Sequence, residues 1–148
     1  MALSDGVFVD TIVQALTNAI ALDVTGGSPK VAMFQDSVTP DFSQVGPAYG
    51  SSPWNAGEVS GSGYTAGGLA VTVTFGELGS TGASMLDITP DPQWTTATIT
   101  NARGFLLYYS GLSNRGLLVR TFGADYSSIA GDFTVQIHAN GAWNNQLS

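Results

Sequence analysis

The residues that could carry out chemistry are few, and His138 is the only histidine in the 148-residue chain. A histidine-dependent triad, or a metal site with an imidazole ligand, would have to use it. In the segment DFTVQIHA at 132–139, Phe133, Val135 and Ile137 alternate with polar residues, which predicts a strand with the imidazole on its polar side. No GxSxG nucleophile elbow accompanies it. We interpret His138 as a solvated strand residue.

Paired carboxylates are the second possible source of chemistry, because two such groups across a cleft suffice for glycoside hydrolysis. Asp87, Asp91, Asp125 and Asp132 mostly lie near predicted turns, where aspartate bends and caps the backbone. Turn chemistry is therefore the favoured interpretation, and a small glycosidase is a third alternative for function. The chain has no DxDxDG calcium loop and no cysteine for thiolate catalysis or zinc binding. We expect no catalytic residues, no metal and no cofactor.

The tract WNAGEVSGSGYTAGG at 54–68 contains two glycine clusters around Tyr64. A dinucleotide-binding glycine loop follows a strand and opens a helix, whereas these glycines precede the alternating segment LAVTVTF at 69–75. A Walker lysine is also missing. The tract therefore predicts a loop whose glycines adopt positive φ or allow close backbone contact.

Aromatic residues outside the predicted core could form a sugar-stacking platform or a protein interface. Trp94 begins a predicted strand and is assigned to the core, whereas Trp54 and Trp143 lie beside loops rich in asparagine and glycine. The residues predicted to contact other proteins are Phe8, Ile12, Tyr49, Trp54, Tyr64 and Trp143.

The composition restricts the class of partner. The formal net charge is -7, because eleven acidic residues oppose four basic ones. Four scattered cations cannot neutralise a nucleic-acid backbone, and anionic membranes are disfavoured for the same reason. Only 10% of the residues are charged, against about 25% in ordinary domains, and such a neutral-polar surface suits packing against a protein partner. We expect no membrane span and no signal peptide, since Asp5 and Asp10 interrupt the start.

The elements that position these residues are mainly strands. Helical spacing of Phe8, Ile12 and Leu16 predicts one helix over 5–21, with Ser4 as N-cap. The pattern then predicts a long loop over 36–68, expected to be functional or bound to something. Strands are predicted at 30–35, 69–75, 85–89, 94–101, 102–109, 117–122 and 132–139, with turns between them.

This series predicts a mainly β fold, an antiparallel β-sandwich or barrel with one N-terminal α-helix, because no helical pattern separates the strands. Residues 1–28 are predicted to form a helical arm packed on or beside the domain, and residues 29–148 a single β-sandwich domain. The segment FLLYY at 105–109 is apolar on both faces and is predicted to be the central strand.

Several segments together resemble a group of short virion proteins of tailed bacteriophages, described as minor capsid or head-decoration proteins. EVSGSGYTAGG is the most specific piece, and the order of the segments agrees with that group. The matching segments are PKVAMF at 29–34, NAGEVSGSGYTAGG at 55–68, WTTATITNARGFLLYY at 94–109 and GDFTVQIHANGAW at 131–143. The chain departs from the group in its apolar N-terminal helix and in the loop at 40–53.

The resemblance implies a small β-sandwich without catalytic activity, added in many copies to a virion that is assembled in the host cytoplasm. Its expected partners are the major capsid protein and copies of itself, as a homo-oligomer in the particle. Because the chain is acidic and packaged DNA would repel it, the outer surface of the head is the expected location. The alternative is a tail-tip or fibre module that binds host surface glycans through Trp54, Tyr64 or Trp143.

Overall fold

The computed structural model describes residues 2–79 and 82–146. Ser80 and Thr81, which belong to the turn predicted after residue 75, lie outside the described residues. So do Met1, in the predicted arm 1–28, and Leu147 and Ser148, in the predicted domain 29–148. The elements, in chain order, are β1 (Gly6–Val7), α1 (Val9–Leu16), β2 (Pro29–Phe34), β3 (Leu69–Ala70), β4 (Val73–Glu77), β5 (Ala83–Ile88), β6 (Gln93–Tyr109), β7 (Arg115–Thr134) and β8 (Trp143–Gln146). A 3-10 turn at Ser110–Leu112 connects β6 to β7.

The strands form two antiparallel sheets. The large sheet has the order β1-β7-β6-β2-β3 and the small sheet the order β4-β5-β8. Side chains from both, such as Met33 and Leu86, belong to one core, so the two sheets pack together. The predicted mainly β fold with one N-terminal helix is confirmed, and the barrel alternative is wrong because both sheets are open.

The central part of the large sheet is buried on both faces. In β2, Val31 and Met33 face the core between the sheets, whereas Ala32 and Phe34 face a second core on the other side. Residues 105–109 divide between the same two cores. This explains the continuous apolar runs, and the prediction that FLLYY forms the central strand is confirmed, since β6 is the middle strand of five.

The second core is covered by the N-terminal segment and the long loop. Leu3, Phe8, Val38 and Trp54 pack there against the large sheet. The indole of Trp54 meets Phe34 with ring centroids 5.0 Å apart at an interplanar angle of 78°. Val38 and Trp54 therefore pack the loop over 36–68 on the chain's own sheet.

The predicted strand at 69–75 is wrong as a single element. Leu69–Ala70 pairs with β2 in the large sheet, whereas Val73–Glu77 pairs with β5 in the small sheet. The chain changes sheets between Ala70 and Val73, and Phe75 is exposed. Alternation of apolar and polar residues specifies faces but does not specify which sheet a strand joins.

The predicted separation of 94–101 from 102–109 is also wrong, because β6 runs through both without a turn. Its partner β7 likewise extends from Arg115 to Thr134, and the pairing register shifts five times. Four residues near these bulges have positive φ and donate their backbone N–H to a side-chain oxygen: Thr96 to Asp132, Asn101 to Ser127, Gly123 to Thr121 and Ala130 to Thr98. The polar side chains that accept these bonds stabilise the bulges.

The predicted N-terminal helix is shorter than 5–21. Gly6 and Val7 pair with β7 as a strand, and the helix spans only Val9–Leu16. Phe8, not Ser4, occupies the N-cap position, and it makes no side-chain capping bond. The helix ends because Asn18 adopts a left-handed conformation with φ 56°.

Candidate interaction surface

Asp10 anchors α1 to two other parts of the chain. Its Oδ2 accepts hydrogen bonds from the Gly46 N–H at 2.8 Å and from Gln14 Nε2 at 2.8 Å, and it pairs with Arg115 at 3.1 Å. These bonds hold the pKa of the Asp10 carboxyl below its usual value, with the Gly46 N–H the largest cause. The helix is thereby joined to the long loop and to β7.

The inner face of α1 is fixed by Thr11 and the residue before the helix. Thr11 is fully buried and its hydroxyl donates a 2.7 Å hydrogen bond to the carbonyl oxygen of Gly116. Phe8 is also fully buried, and its N–H donates to the Leu117 carbonyl at 2.9 Å. The helix therefore docks on its own large sheet.

The outer face of α1 is apolar and exposed. Val9, Val13 and Leu16 are 58%, 51% and 82% exposed, and their spacing of four and three residues puts them on one side of the helix. Val45, which is 80% exposed, precedes Gly46, the residue that bonds Asp10. We name Val9, Val13, Leu16 and Val45 the α1 patch. Grouped exposed apolar side chains of this kind mark interaction sites.

The apolar residues of α1 divide between its inner and outer faces. Ile12 packs partly against the core, whereas Leu16, four residues later, points to solvent. Val9 and Val13, on the same side of the helix as Leu16, are exposed as well. The sequence does indicate that some of these apolar residues must be exposed, because they surround most of this short helix and a helix can bury only one side.

Three of the predicted contact residues are buried within the chain, which corrects their assignment to a surface. Phe8 and Trp54 pack edge to face with centroids 6.0 Å apart, and both are buried in the second core. Tyr64 is buried between the sheets and lies 5.7 Å from Trp94. The core position predicted for Trp94 is confirmed. These aromatic side chains stabilise the fold.

Tyr49 and Tyr64 meet at Glu58, which was not singled out from the sequence. Tyr49 donates to Glu58 Oε2 at 2.7 Å, and Tyr64 donates to Oε1 at 2.8 Å. The Gly67 N–H also donates to Oε1, at 2.7 Å. Tyr108 stacks on Tyr49 with centroids 4.7 Å apart and donates to the Gly67 carbonyl. We call these five residues the Glu58 cluster.

The tyrosines of the Glu58 cluster are held in their neutral form. Burial, followed by the hydrogen bond to the Glu58 carboxylate, raises the pKa of both Tyr49 and Tyr64. Burial raises the pKa of Tyr108 to about 12. A protonated phenol donating to a carboxylate is a stable structural pair, so the cluster fastens the loop to the sheet.

The glycines of the tract 54–68 have the role that the sequence predicted. A Cβ on Gly61 would lie 1.8 Å from the Thr98 carbonyl oxygen, and a Cβ on Gly68 would lie 1.8 Å from that of Val31. Both glycines have positive φ. The tract crosses β6 and β2 at a backbone separation that only glycine permits.

Ile12, Tyr49 and Trp143 remain partly accessible, so their predicted contacts stay predictions. Trp143, on β8, stacks nearly parallel to Phe75 of β4 with centroids 6.3 Å apart. The Phe75–Trp143 pair lies on the small sheet, whereas α1 packs on β7 of the large sheet. The two are therefore carried by different sheets.

The candidate chemical residues take separate structural partners. His138 is exposed as expected but follows the end of β7, and its Nδ1 accepts the Asn140 N–H at 3.0 Å. The four aspartates considered as possible catalytic carboxylates each have a different partner. Three accept a backbone N–H and one forms an ion pair: Asp87 accepts from Ile88, Asp91 from Ile137 and Asp132 from Thr96, and Asp125 pairs with Arg103. Across residues 2–79 and 82–146, no three histidine, cysteine, aspartate or glutamate side chains are grouped to hold a metal ion.

The arginines are matched by aspartates. Arg103 pairs with Asp36 and Asp125, and Arg120 pairs with Asp5. Because Arg115 pairs with Asp10, all three guanidinium groups face carboxylates. The remaining carboxylates give the surface its negative potential.

No protein-family model, curated protein or solved structure matches this chain. In the part of the chain that the structure describes, no helix is long and apolar enough to cross a bilayer.

Proposed function

We propose that the chain is a structural protein of a tailed-phage virion, which binds the outer surface of the icosahedral head and reinforces it. The resemblance described above suggests this class, and the α1 patch is the observation that carries the proposal. Its apolar side chains are presented to solvent on an element anchored by Asp10 and Thr11. The partner is the major capsid protein, with copies of this chain as neighbours.

The anchoring of α1 favours binding. A helix that is already fixed loses little conformational entropy when a partner covers it. Each valine or leucine side chain that becomes fully buried contributes about 1.5–3 kcal/mol. One patch gives a weak contact, but many copies on one particle bind together with high avidity.

The charge distribution supports an external position. Asp23, Asp41 and Asp91 are exposed, and in the described chain none of them pairs with an arginine or lysine. Packaged DNA would repel such a surface, whereas the outside of the shell imposes no such penalty. Cryo-electron microscopy of the particle tests this location, and density inside the shell would contradict it.

Co-sedimentation with heads assembled without this chain tests the contact. We expect the wild-type chain to sediment with the heads and the double variant Val13→Asp/Leu16→Asp to remain in solution, because burying two carboxylates is costly. Ile129→Asp is the matched control, since Ile129 is 88% exposed on β7, away from α1. Equal binding by the double variant would exclude the patch, and no binding by the wild type would exclude the proposed function.

Heat resistance tests the reinforcing role. Heads carrying the chain should release DNA at a higher temperature than stripped heads, because ligands that bind only the intact shell stabilise it. An unchanged release temperature would remove reinforcement from the proposal.

A further inference from the structure

A groove of about 540 Å³ runs along the far half of β7. It extends from Thr121 to Ser128 and is closed on the other side by residues 132–136. Its volume lies within the range of about 300–1,000 Å³ that is typical of small-ligand sites. The pairing register of β7 shifts between Thr121 and Tyr126, and bulges of this kind bend a strand.

One wall of the groove is aromatic. Tyr126 is 53% exposed, and Phe122 supports it edge to face with centroids 6.1 Å apart at 77°. Phe122 is itself held by Phe105 and Phe133, each with its centroid 6.3 Å away. Tyr126 therefore has a fixed ring with accessible surface, as a stacking platform requires.

The other wall is polar and has free hydrogen-bonding capacity. The oxygens of Ser127 and Thr134 accept hydrogen bonds from the Asn101 N–H and from Gln93 Nε2, so each hydroxyl proton can still be donated to a ligand. Gln136 is exposed, and its amide makes no hydrogen bond within the described residues. Donors and an acceptor therefore line the same groove as the tyrosine.

The charge of the groove restricts the ligand. Among the described residues that line it, Asp132 is the one that is charged, and its Oδ1 accepts the Thr96 N–H at 3.1 Å. An anionic ligand would meet this carboxylate and no cation. A wholly apolar ligand would leave the hydroxyl and amide groups buried without partners. A neutral, polyhydroxylated ligand with an apolar face satisfies both walls.

We propose that this groove binds a neutral oligosaccharide, with one sugar ring stacked on Tyr126 and its hydroxyl groups bonded to Ser127, Thr134 and Gln136. The site is separate from the α1 patch, so the chain would hold the particle with one surface and a glycan with the other. It also differs from the glycan site predicted through Trp54, Tyr64 or Trp143.

An array of neutral oligosaccharides, followed by NMR titration of the isotope-labelled full chain with the strongest binder, tests the proposal. Cellotriose, maltotriose and lacto-N-neotetraose are included, with 3′-sialyllactose as the charged comparison. We expect saturable shifts confined to residues 121–136 and weaker binding of the sialylated sugar. Tyr126→Ala should weaken binding about tenfold, the loss expected for one aromatic stacking contact.

Ile129→Ala is the matched control, because Ile129 is exposed on the same strand but does not line the groove, and it should bind like wild type. Gln136→Ala should also weaken binding and gives a second readout if Tyr126→Ala loses stability. No neutral binder on the array, shifts outside the groove, or equal loss in the control would overturn the proposal. Shifts in the groove that depend on protein concentration alone would indicate a second copy there and would also overturn it. Tyr126→Ala should still co-sediment with heads, because Tyr126 lies outside the α1 patch. Failure of sugar binding would therefore leave the proposed function untouched.

Discussion

The hydroxyl of Tyr64 donates a 2.8 Å hydrogen bond to Glu58 Oε1. The same tyrosine oxygen accepts the N–H of Met33, in β2, at 3.0 Å. One phenol thus connects the long loop to the large sheet. Since Glu58 also accepts bonds from Tyr49 and Gly67, a single carboxylate fastens three separate points of the loop.

Glu58→Gln should lower the free energy of unfolding by about 1–3 kcal/mol. The amide that replaces one carboxylate oxygen is a donor, so it would face the donor of a tyrosine or of Gly67. Denaturant unfolding at pH 7 measures the change. Glu77→Gln is the control, because Glu77 is exposed on β4 and its substitution should change stability by less than about 0.5 kcal/mol. Equal effects of the two substitutions would show that the cluster does not stabilise the fold.

Gly68→Ala should destabilise the protein far more than Gly46→Ala. Both glycines have positive φ, 71° and 63°, so each substitution carries a backbone cost of about 1–2 kcal/mol. Only at Gly68 does the new Cβ collide with backbone, 1.8 Å from the Val31 carbonyl oxygen, whereas Gly46 has open space around it. Thermal unfolding of both variants compares the two costs directly. Similar melting temperatures would exclude close backbone approach as the reason for glycine at 68.

Features encoded by local pattern could be predicted from the sequence. The central position of 105–109 follows from residues that are apolar on both faces, and the glycine tract predicts close backbone contact because other residues cannot adopt those conformations. The core position of Trp94 follows from its place in a strand.

Features that depend on contacts between distant parts of the chain could not be predicted from the sequence. The outward face of Leu16 is decided by bonds from Asp10 and Thr11 to β7 and the loop, and no spacing within the helix specifies that choice. The break between β3 and β4 depends on which sheet each half can join. Thr96 and Asn101 have positive φ in bulges of β6, and the strand pattern of the sequence indicates neither these bulges nor the continuation of the strand through them.

Asp10→Asn should make the protein less stable at neutral pH but not in strong acid. The pKa of Asp10 is lowered from 3.8 in the folded protein, chiefly by the Gly46 N–H and then by Gln14 and Arg115. Its stabilising contribution is therefore complete above pH 3.8 and is lost as the pH falls through the lower folded value. Melting temperatures of both proteins between pH 7 and about pH 2 should converge at the acidic end. A constant difference across this range would show that the carboxylate charge is not what anchors the helix.

Thr96→Asn should stabilise the protein by about 0.5–1 kcal/mol. Thr96 is exposed and has φ 51°, a conformation that is strained for a β-branched residue and tolerated by asparagine. Its backbone N–H keeps the 3.1 Å bond to Asp132 in the variant, since that bond does not involve the side chain of residue 96. Thr95→Asn is the control: Thr95 is exposed in the same strand and does not have positive φ, so asparagine is disfavoured there and that variant should be slightly less stable. Denaturant midpoints of the two variants should move in opposite directions, and a shift of both in the same direction would show that the left-handed backbone at this bulge stores no strain.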